Sequence, residues 1–133
     1  MPNPRFIGKE NEPTVELLLK LARAKEVYLG NLERFCLEEG INLEELKKVD
    51  RVYLIGSHAT EDNWNDKESD VDFKLIVPNA LPMYLLEYKR KILDPILCPK
   101  NEKKSRWIDL FFVREDYQVL PPRIDLTEYW NHV

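Results

Sequence analysis

What this sequence lacks excludes several kinds of protein. It has only two cysteines, Cys36 and Cys98, which lie far apart and match no metal-binding or redox spacing. We therefore expect two ordinary buried thiols in a reducing compartment. The opening segment, MPNPRFIGKENEP, has no apolar core of a signal peptide, and no apolar run approaches the length of a bilayer crossing. These absences predict a cytoplasmic protein.

An excess of positive charge is also lacking. The 133 residues carry 20 Lys and Arg against 24 Asp and Glu, for a formal net charge of -4. This balance argues against a protein that binds nucleic acid through general phosphate attraction. With 44% hydrophobic and 33% charged residues, the composition is typical of one domain, spanning 1–133, that buries a core.

Several familiar site patterns are missing too. No frame through Asp62, Asp66 and Asp70 supplies the glycine that an EF-hand calcium loop requires. His58 and His132 pair with no plausible nucleophile, so we expect a surface or loop role for them. The sequence has no internal repeats and no hydrolase signature.

The helices are predicted from apolar spacing. Apolar residues at three-and-four spacing predict one long N-terminal helix from Pro13 to Glu39. Asn11 or Thr14 would cap its start, and Gly40 suits a left-handed C-terminal cap. Two further helices are predicted, a short capping-box-like one at 42–48 and a longer one at 83–97.

Three segments rich in β-forming residues predict strands: Arg51–Ile55, Val71–Val77 and Trp107–Val113. The alternation of helix and strand predicts an α+β fold, with a mixed sheet, helices packed against it and the long helix first. We expect the core of the domain at 51–113. The tail, 114–133, contains Pro121-Pro122 and receives no assignment.

Three aspartates flank or interrupt these strands. Asp70 and Asp72 lie at the start of the second strand and, with Lys74, project to one side of it, whereas Asp109 interrupts the third. Removing a carboxylate from water costs on the order of several kcal/mol of hydration free energy unless another charge compensates it. Neighbouring strands would bring all three within reach of a common ion, and Mg²⁺ prefers such oxygen ligands.

The Gly56-Ser57 pair directly follows the first predicted strand. Glycine allows the backbone to approach a phosphate closely. The Ser57 hydroxyl and the amides of a following helix start would donate hydrogen bonds to that phosphate. The order of strand, Gly-Ser, acidic pair and later lone acid is therefore typical of a metal-dependent phosphate site.

Through Gly56-Ser57, Asp70-Val71-Asp72 and Asp109, the stretch 51–113 resembles the DNA polymerase beta-like nucleotidyltransferase superfamily, particularly its minimal single-domain members. The resemblance implies that Gly56 and Ser57 hold a nucleoside triphosphate and that Asp70 and Asp72 bind metal. Asp109 would be the third carboxylate, which either binds a metal ion or helps deprotonate the acceptor hydroxyl.

The implied reaction moves a nucleoside monophosphate from a triphosphate to a hydroxyl on a protein, an RNA or a small molecule, and releases pyrophosphate. The implied cofactor is a pair of Mg²⁺ ions, with Mn²⁺ as the alternative metal. Small members of the superfamily often occur with a helical HEPN-type partner, some as toxin and antitoxin. The resemblance would allow such a partner here.

Each residue also has a structural interpretation. Asp70 and Asp72 belong to an acidic stretch and would then be turn residues, and Asp109 would be a salt-bridged strand residue. Ser57 would be a turn or helix-cap residue, and Lys74 either touches a phosphate or balances the acids. In the loop before Asp70, a tryptophan either stacks on a base or packs.

Opposed charges surround these residues. Between residues 89 and 106 lie seven basic residues and two acids, whereas residues 61–72 contain six acids and one lysine. The basic run suits a phosphate-bearing substrate, or is simply a solvated face. Two functional alternatives stay open: a non-catalytic binding module in a two-protein assembly, and a structural domain whose acids only keep it soluble.

Overall fold

The computed structural model describes residues 6–8, 10, 12–60, 68–77 and 82–133. Within these residues the chain forms an α+β fold in which helices precede a mixed sheet, as predicted. Helices α1 to α3 come first, β1 and β2 follow, a helical crossover leads to β3, and β4 and α6 end the chain. The helices are α1 Val15–Gly30, α2 Leu32–Glu39, α3 Leu43–Lys47, α4 Pro82–Tyr88, α5 Asp94–Leu97 and α6 Thr127–His132. The strands are β1 Arg51–Ile55, β2 Val71–Val77, β3 Ile108–Arg114 and β4 Ile124–Asp125.

The N-terminal helix differs from the prediction because it is two helices. Thr14 caps α1 by accepting a hydrogen bond from the amide of Leu17 at 3.2 Å, so Pro13 precedes the helix. Asn31 separates α1 from α2, and its side-chain amide donates to the Val27 carbonyl at 2.9 Å. Such side-chain bonds compete with the helical backbone pattern. Gly40 ends α2 with a φ of 68°, as predicted.

The sheet has the order β3-β2-β1-β4. Strand β1 pairs antiparallel with β2 and with β4, whereas β2 and β3 are parallel. The predicted bounds of β1 and β2 are confirmed, and β3 begins one residue later than predicted. Because parallel neighbours need a long crossover, the predicted helix at 83–97 has its place between them. Its central turn, Lys89–Leu93, is π-helical, which the apolar spacing did not indicate.

One face of the sheet packs on the helices. On β2 the buried residues Val71, Phe73 and Leu75 alternate with half-buried Asp72 and Lys74. The buried set on β2 and the helices forms a hydrophobic cluster that includes Leu17, Leu21, Tyr28, Leu85 and Tyr88. The other face carries Asp72 and Lys74, as the alternation predicted, together with the buried Ile76 and the half-buried Phe111.

The tail completes the sheet and the core. Strand β4 pairs with β1 opposite Tyr53 and Leu54, and α6 places Trp130 in the core. Cys36 is buried and Cys98 is half-buried, and both are free thiols. No helix among the described residues combines the length and the hydropathy that a bilayer crossing requires.

We expect Tyr28→Phe to lower the free energy of unfolding by about 1–3 kcal/mol. The buried Tyr28 hydroxyl donates to the Leu46 carbonyl at 2.5 Å, and that carbonyl lies in the last turn of α3, where helical partners run out. Urea denaturation measures the change. The control is Tyr84→Phe, since Tyr84 is 48% exposed; equal losses for the two variants would contradict the prediction.

Candidate functional site

The site begins where β1 ends. Gly56 has a φ of 76°, and the chain turns there into the four-residue 3-10 turn Gly56–Ala59. A Cβ on Gly56 would lie 2.6 Å from Oδ2 of Asp72, which is too close for any side chain. Glycine is therefore required twice, once for its left-handed backbone and once for the approach of the Asp72 carboxylate.

The three predicted aspartates come together next to this glycine. Asp72 on β2 pairs in register with Asp109 on β3, and Asp70 immediately precedes β2. Carboxylate oxygens of the three lie within 4.8 Å of one another, and all three residues are half-buried. We call Asp70, Asp72 and Asp109 the acidic cluster. Its oxygen donors fit a hard divalent cation such as Mg²⁺, and its role as a metal site stays a prediction.

The carboxylates of the acidic cluster repel one another. Burial, followed by the charge of Asp70, a hydrogen bond shared with the Asp70 carboxyl and the charge of Asp109, raises the pKa of Asp72 to about 7. The charge of Lys104 acts in the opposite direction. Among the described residues, no positive side chain is paired with Asp70 or Asp72, and a cation there would relieve the repulsion.

Ser57 and Lys74 occupy different parts of the neighbourhood. Ser57 follows Gly56 in the 3-10 turn, and its carbonyl accepts a hydrogen bond from the Thr60 hydroxyl at 3.1 Å. The turn stands where the sequence predicted the start of a helix. Lys74 shares the face of Asp72, but its Nζ lies 5.3 Å from the centre of the Tyr117 ring. The structure therefore places Lys74 against the tail.

A residue that the sequence did not single out, Lys89, contacts the acidic cluster. Its Nζ donates to Asp109 and, at 2.8 Å, to Asp94. The same Nζ lies 4.9 Å from the centre of the Phe111 ring, and only 14% of the side chain is exposed. Burial lowers the pKa of Lys89, but hydrogen bonds and charges from Asp109 and Asp94 outweigh it and raise the pKa above its ordinary value. Lys89 is held there as a cation.

The π-helical turn explains this contact. Its hydrogen bonds join residue i to i+5, which is the spacing of Lys89 and Asp94. An α-helix brings together residues three and four apart, so its periodicity does not indicate this pair. Within the sequence, Lys89 is simply one member of a basic run.

Asp94, Cys98 and Asp109 also offer ligand atoms within 4.8 Å of one another. The Cys98 thiol donates to the Ile108 carbonyl at 3.3 Å. Burial, and then the charges of Asp109 and Asp94, raises its pKa to about 12. In this structure the Lys89 ammonium is paired with both carboxylates of the group.

His58 is buried, so the expectation of a surface role for it was wrong. Its Nε2 donates to the Ser69 carbonyl at 3.1 Å, and its ring lies 4.8 Å from that of Phe6. Since Ser69 precedes Asp70, this bond ties the 3-10 turn to the segment that enters β2. The predicted acids at 61–67, the tryptophan Trp64 and the alternative helix cap Asn11 lie outside the described residues.

Comparison with known proteins identifies no family for this chain. No family model and no curated protein matches the sequence. The chain is similar to a solved structure described as "a putative nucleotidyltransferase from Sulfolobus solfataricus", with 14% sequence identity and a TM-score of 0.41 over 80% of this chain and 86% of that chain. Similarity at this level assigns neither a residue role nor an activity to this chain.

We expect Gly56→Ala to destabilise the fold by at least about 1–2 kcal/mol, because an L residue at positive φ is strained and its Cβ would contact Asp72. Thermal or urea unfolding measures this. Gly30→Ala is the matched control, since nothing lies within 4 Å of a Cβ at that helical position. A neutral Gly56→Ala variant would contradict the site geometry.

We expect Asp72→Asn to stabilise the protein above pH 7 and to change little near pH 4. The pKa of Asp72 is raised from 3.8 to about 7 in the fold, so the folded state binds a proton that the unfolded state releases between these values. The free energy of unfolding of the wild type therefore falls as the pH rises through this window. The asparagine variant has no carboxyl group at position 72 and lacks this contribution to the fall. Melting temperatures across this pH range provide the measurement. Asp116→Asn, at an exposed aspartate paired with Arg114, should show no such pattern.

Proposed function

We propose that this protein is a Mg²⁺-dependent nucleotidyltransferase. The observation that supports the proposal most directly is the acidic cluster beside Gly56, where three carboxylates lie within 4.8 Å of one another. Carboxylates that repel one another in this way destabilise a fold, and a divalent cation shared with a triphosphate is a partner that compensates them.

Each residue of the site has a proposed role. Gly56 and Ser57, in the turn beside the acidic cluster, receive the phosphates of the triphosphate, with the Ser57 hydroxyl as a donor. Asp70 and Asp72 would hold the metal, and Asp109, opposite Asp72 on the neighbouring strand, would help to deprotonate the acceptor hydroxyl or bind a metal ion. When bound, Mg²⁺ stabilises negative charge on the phosphate oxygens of the transferred group.

The reaction balances as a displacement at phosphorus. The acceptor hydroxyl oxygen forms a bond to the α-phosphorus, the bond from that phosphorus to the bridging oxygen breaks, and pyrophosphate leaves. The hydroxyl proton passes to a base at the acceptor side, either the Asp109 carboxylate or water. The protein contributes alignment and charge, which account for most of the catalysis in phosphoryl transfer.

A positive side chain beside the cluster supports an anionic substrate. Lys104 is exposed, and its charge is felt by Asp72. Its neighbours in the loop before β3 include further basic residues, Lys100, Lys103 and Arg106. These charges would attract a triphosphate or a phosphate-bearing acceptor toward the acidic cluster.

We expect transfer of label from an α-labelled nucleoside triphosphate to an acceptor in a cell extract, at millimolar Mg²⁺. Asp70→Asn and Asp72→Asn should each abolish the transfer while the circular dichroism spectrum stays native, because each removes a metal ligand. Asp116→Asn keeps the fold and should keep the activity. Identification of the labelled molecule would give the acceptor class.

Isothermal titration can contradict this proposal without knowledge of the acceptor. If none of the four ribonucleotides or their deoxy forms binds in the presence of Mg²⁺, the nucleotidyltransferase proposal fails. Partner binding that is indifferent to both asparagine substitutions, without label transfer, would instead indicate a non-catalytic module.

A further inference from the structure

The Lys89 ammonium is a positive charge of the chain itself that pairs with Asp109 of the acidic cluster. Its ammonium is fixed from three directions, by Asp109, by Asp94 and by the face of the Phe111 ring. A lysine that only balanced surface charge would be largely exposed, as Lys91 is at 56%. Lys89 is exposed by only 14%, so its position is set by the fold.

The ammonium also divides the cluster into two unequal parts. Asp109 has a positive partner within the chain, whereas the negative charge of Asp70 acts against that of Asp72. A divalent ion on Asp109 would stand next to the Lys89 ammonium, and the two positive charges would repel. Within the part of the chain that the structure describes, no ammonium or guanidinium is paired with Asp70 or Asp72, so a divalent ion on these two carboxylates would meet no such repulsion.

We propose that Lys89 takes the place of one of the two metal ions, so that the acidic cluster binds a single divalent cation, on Asp70 and Asp72. This inference rests on the proposed function and refines it. The sequence resemblance implied two ions, with Asp109 either a ligand of one of them or a helper of the acceptor hydroxyl. With Lys89 in place, Asp109 is not a ligand of a second ion. Lys89 acts as a positioning residue that fixes the orientation of the Asp109 carboxylate through their ion pair.

The test counts metal ions on the purified full-length chain, without nucleotide. Mn²⁺ is titrated into the protein, and electron paramagnetic resonance measures the free ion. We expect one Mn²⁺ per wild-type chain. We expect two for Lys89→Met, which keeps the length of the side chain but removes the charge and so frees Asp109 and Asp94 to bind a second ion.

Two controls isolate the role of the ammonium. Lys91→Met removes the same charge from the same helical segment, at a side chain paired with Glu87, and should still bind one ion. Lys89→Arg keeps the charge and should also bind one. If Lys89→Met does not fold, Asp109→Asn in the wild-type background is decisive: the single ion should remain bound, whereas Asp72→Asn should lose it.

Two ions or none on the wild type, an unchanged count in Lys89→Met, or loss of the ion in Asp109→Asn would each overturn the inference. The ion count is independent of nucleotide transfer, so the two proposals can fail separately. A shift from one ion to two with no nucleotide binding would uphold the role of Lys89 and reject the transferase. Label transfer by a wild-type chain that binds two ions would uphold the transferase and reject the proposed role of Lys89.

Discussion

The parallel pairing of β2 with β3, with Asp72 opposite Asp109, is the constraint on which the site depends. Because side chains alternate along a strand, a slip of one residue would move Asp109 to the face that packs on the helices. The register is held by apolar residues on that opposite face, where Val71 and Phe73 pair with Ile108 and Leu110. The packing that buries the core therefore also brings the carboxylates together, and neither can change alone.

The electrostatics of the site work against the stability of the fold. Three half-buried carboxylates within 4.8 Å of one another are unfavourable unless cations accompany them. Lys89 compensates Asp109 from within the chain, whereas Asp70 and Asp72 share a hydrogen bond and the pKa of Asp72 rises to about 7. The hydrophobic core offsets this cost. A divalent cation on Asp70 and Asp72 would offset the same cost by electrostatic attraction.

Elements outside the strands set the details of the site. The π-helical turn brings the Asp94 carboxylate to the Lys89 ammonium. The buried His58 links the turn after β1 to the segment before Asp70. Gly56 permits the Asp72 carboxylate to lie where a side chain would otherwise be. Each of these contacts joins residues that are distant in sequence or that depart from regular periodicity.

The sequence by itself determined the local features: the bounds of β1 and β2, the cap at Gly40 and the alternation that separates Asp72 and Lys74 from their apolar neighbours. These features depend on residues a few positions apart, which is why propensity and spacing predict them. Only the tertiary structure decided that the tail adds a strand beside β1 and that Lys89 pairs with Asp109. The reason is that such contacts depend on the register and packing of segments far apart in the chain, for which a linear pattern holds no signal.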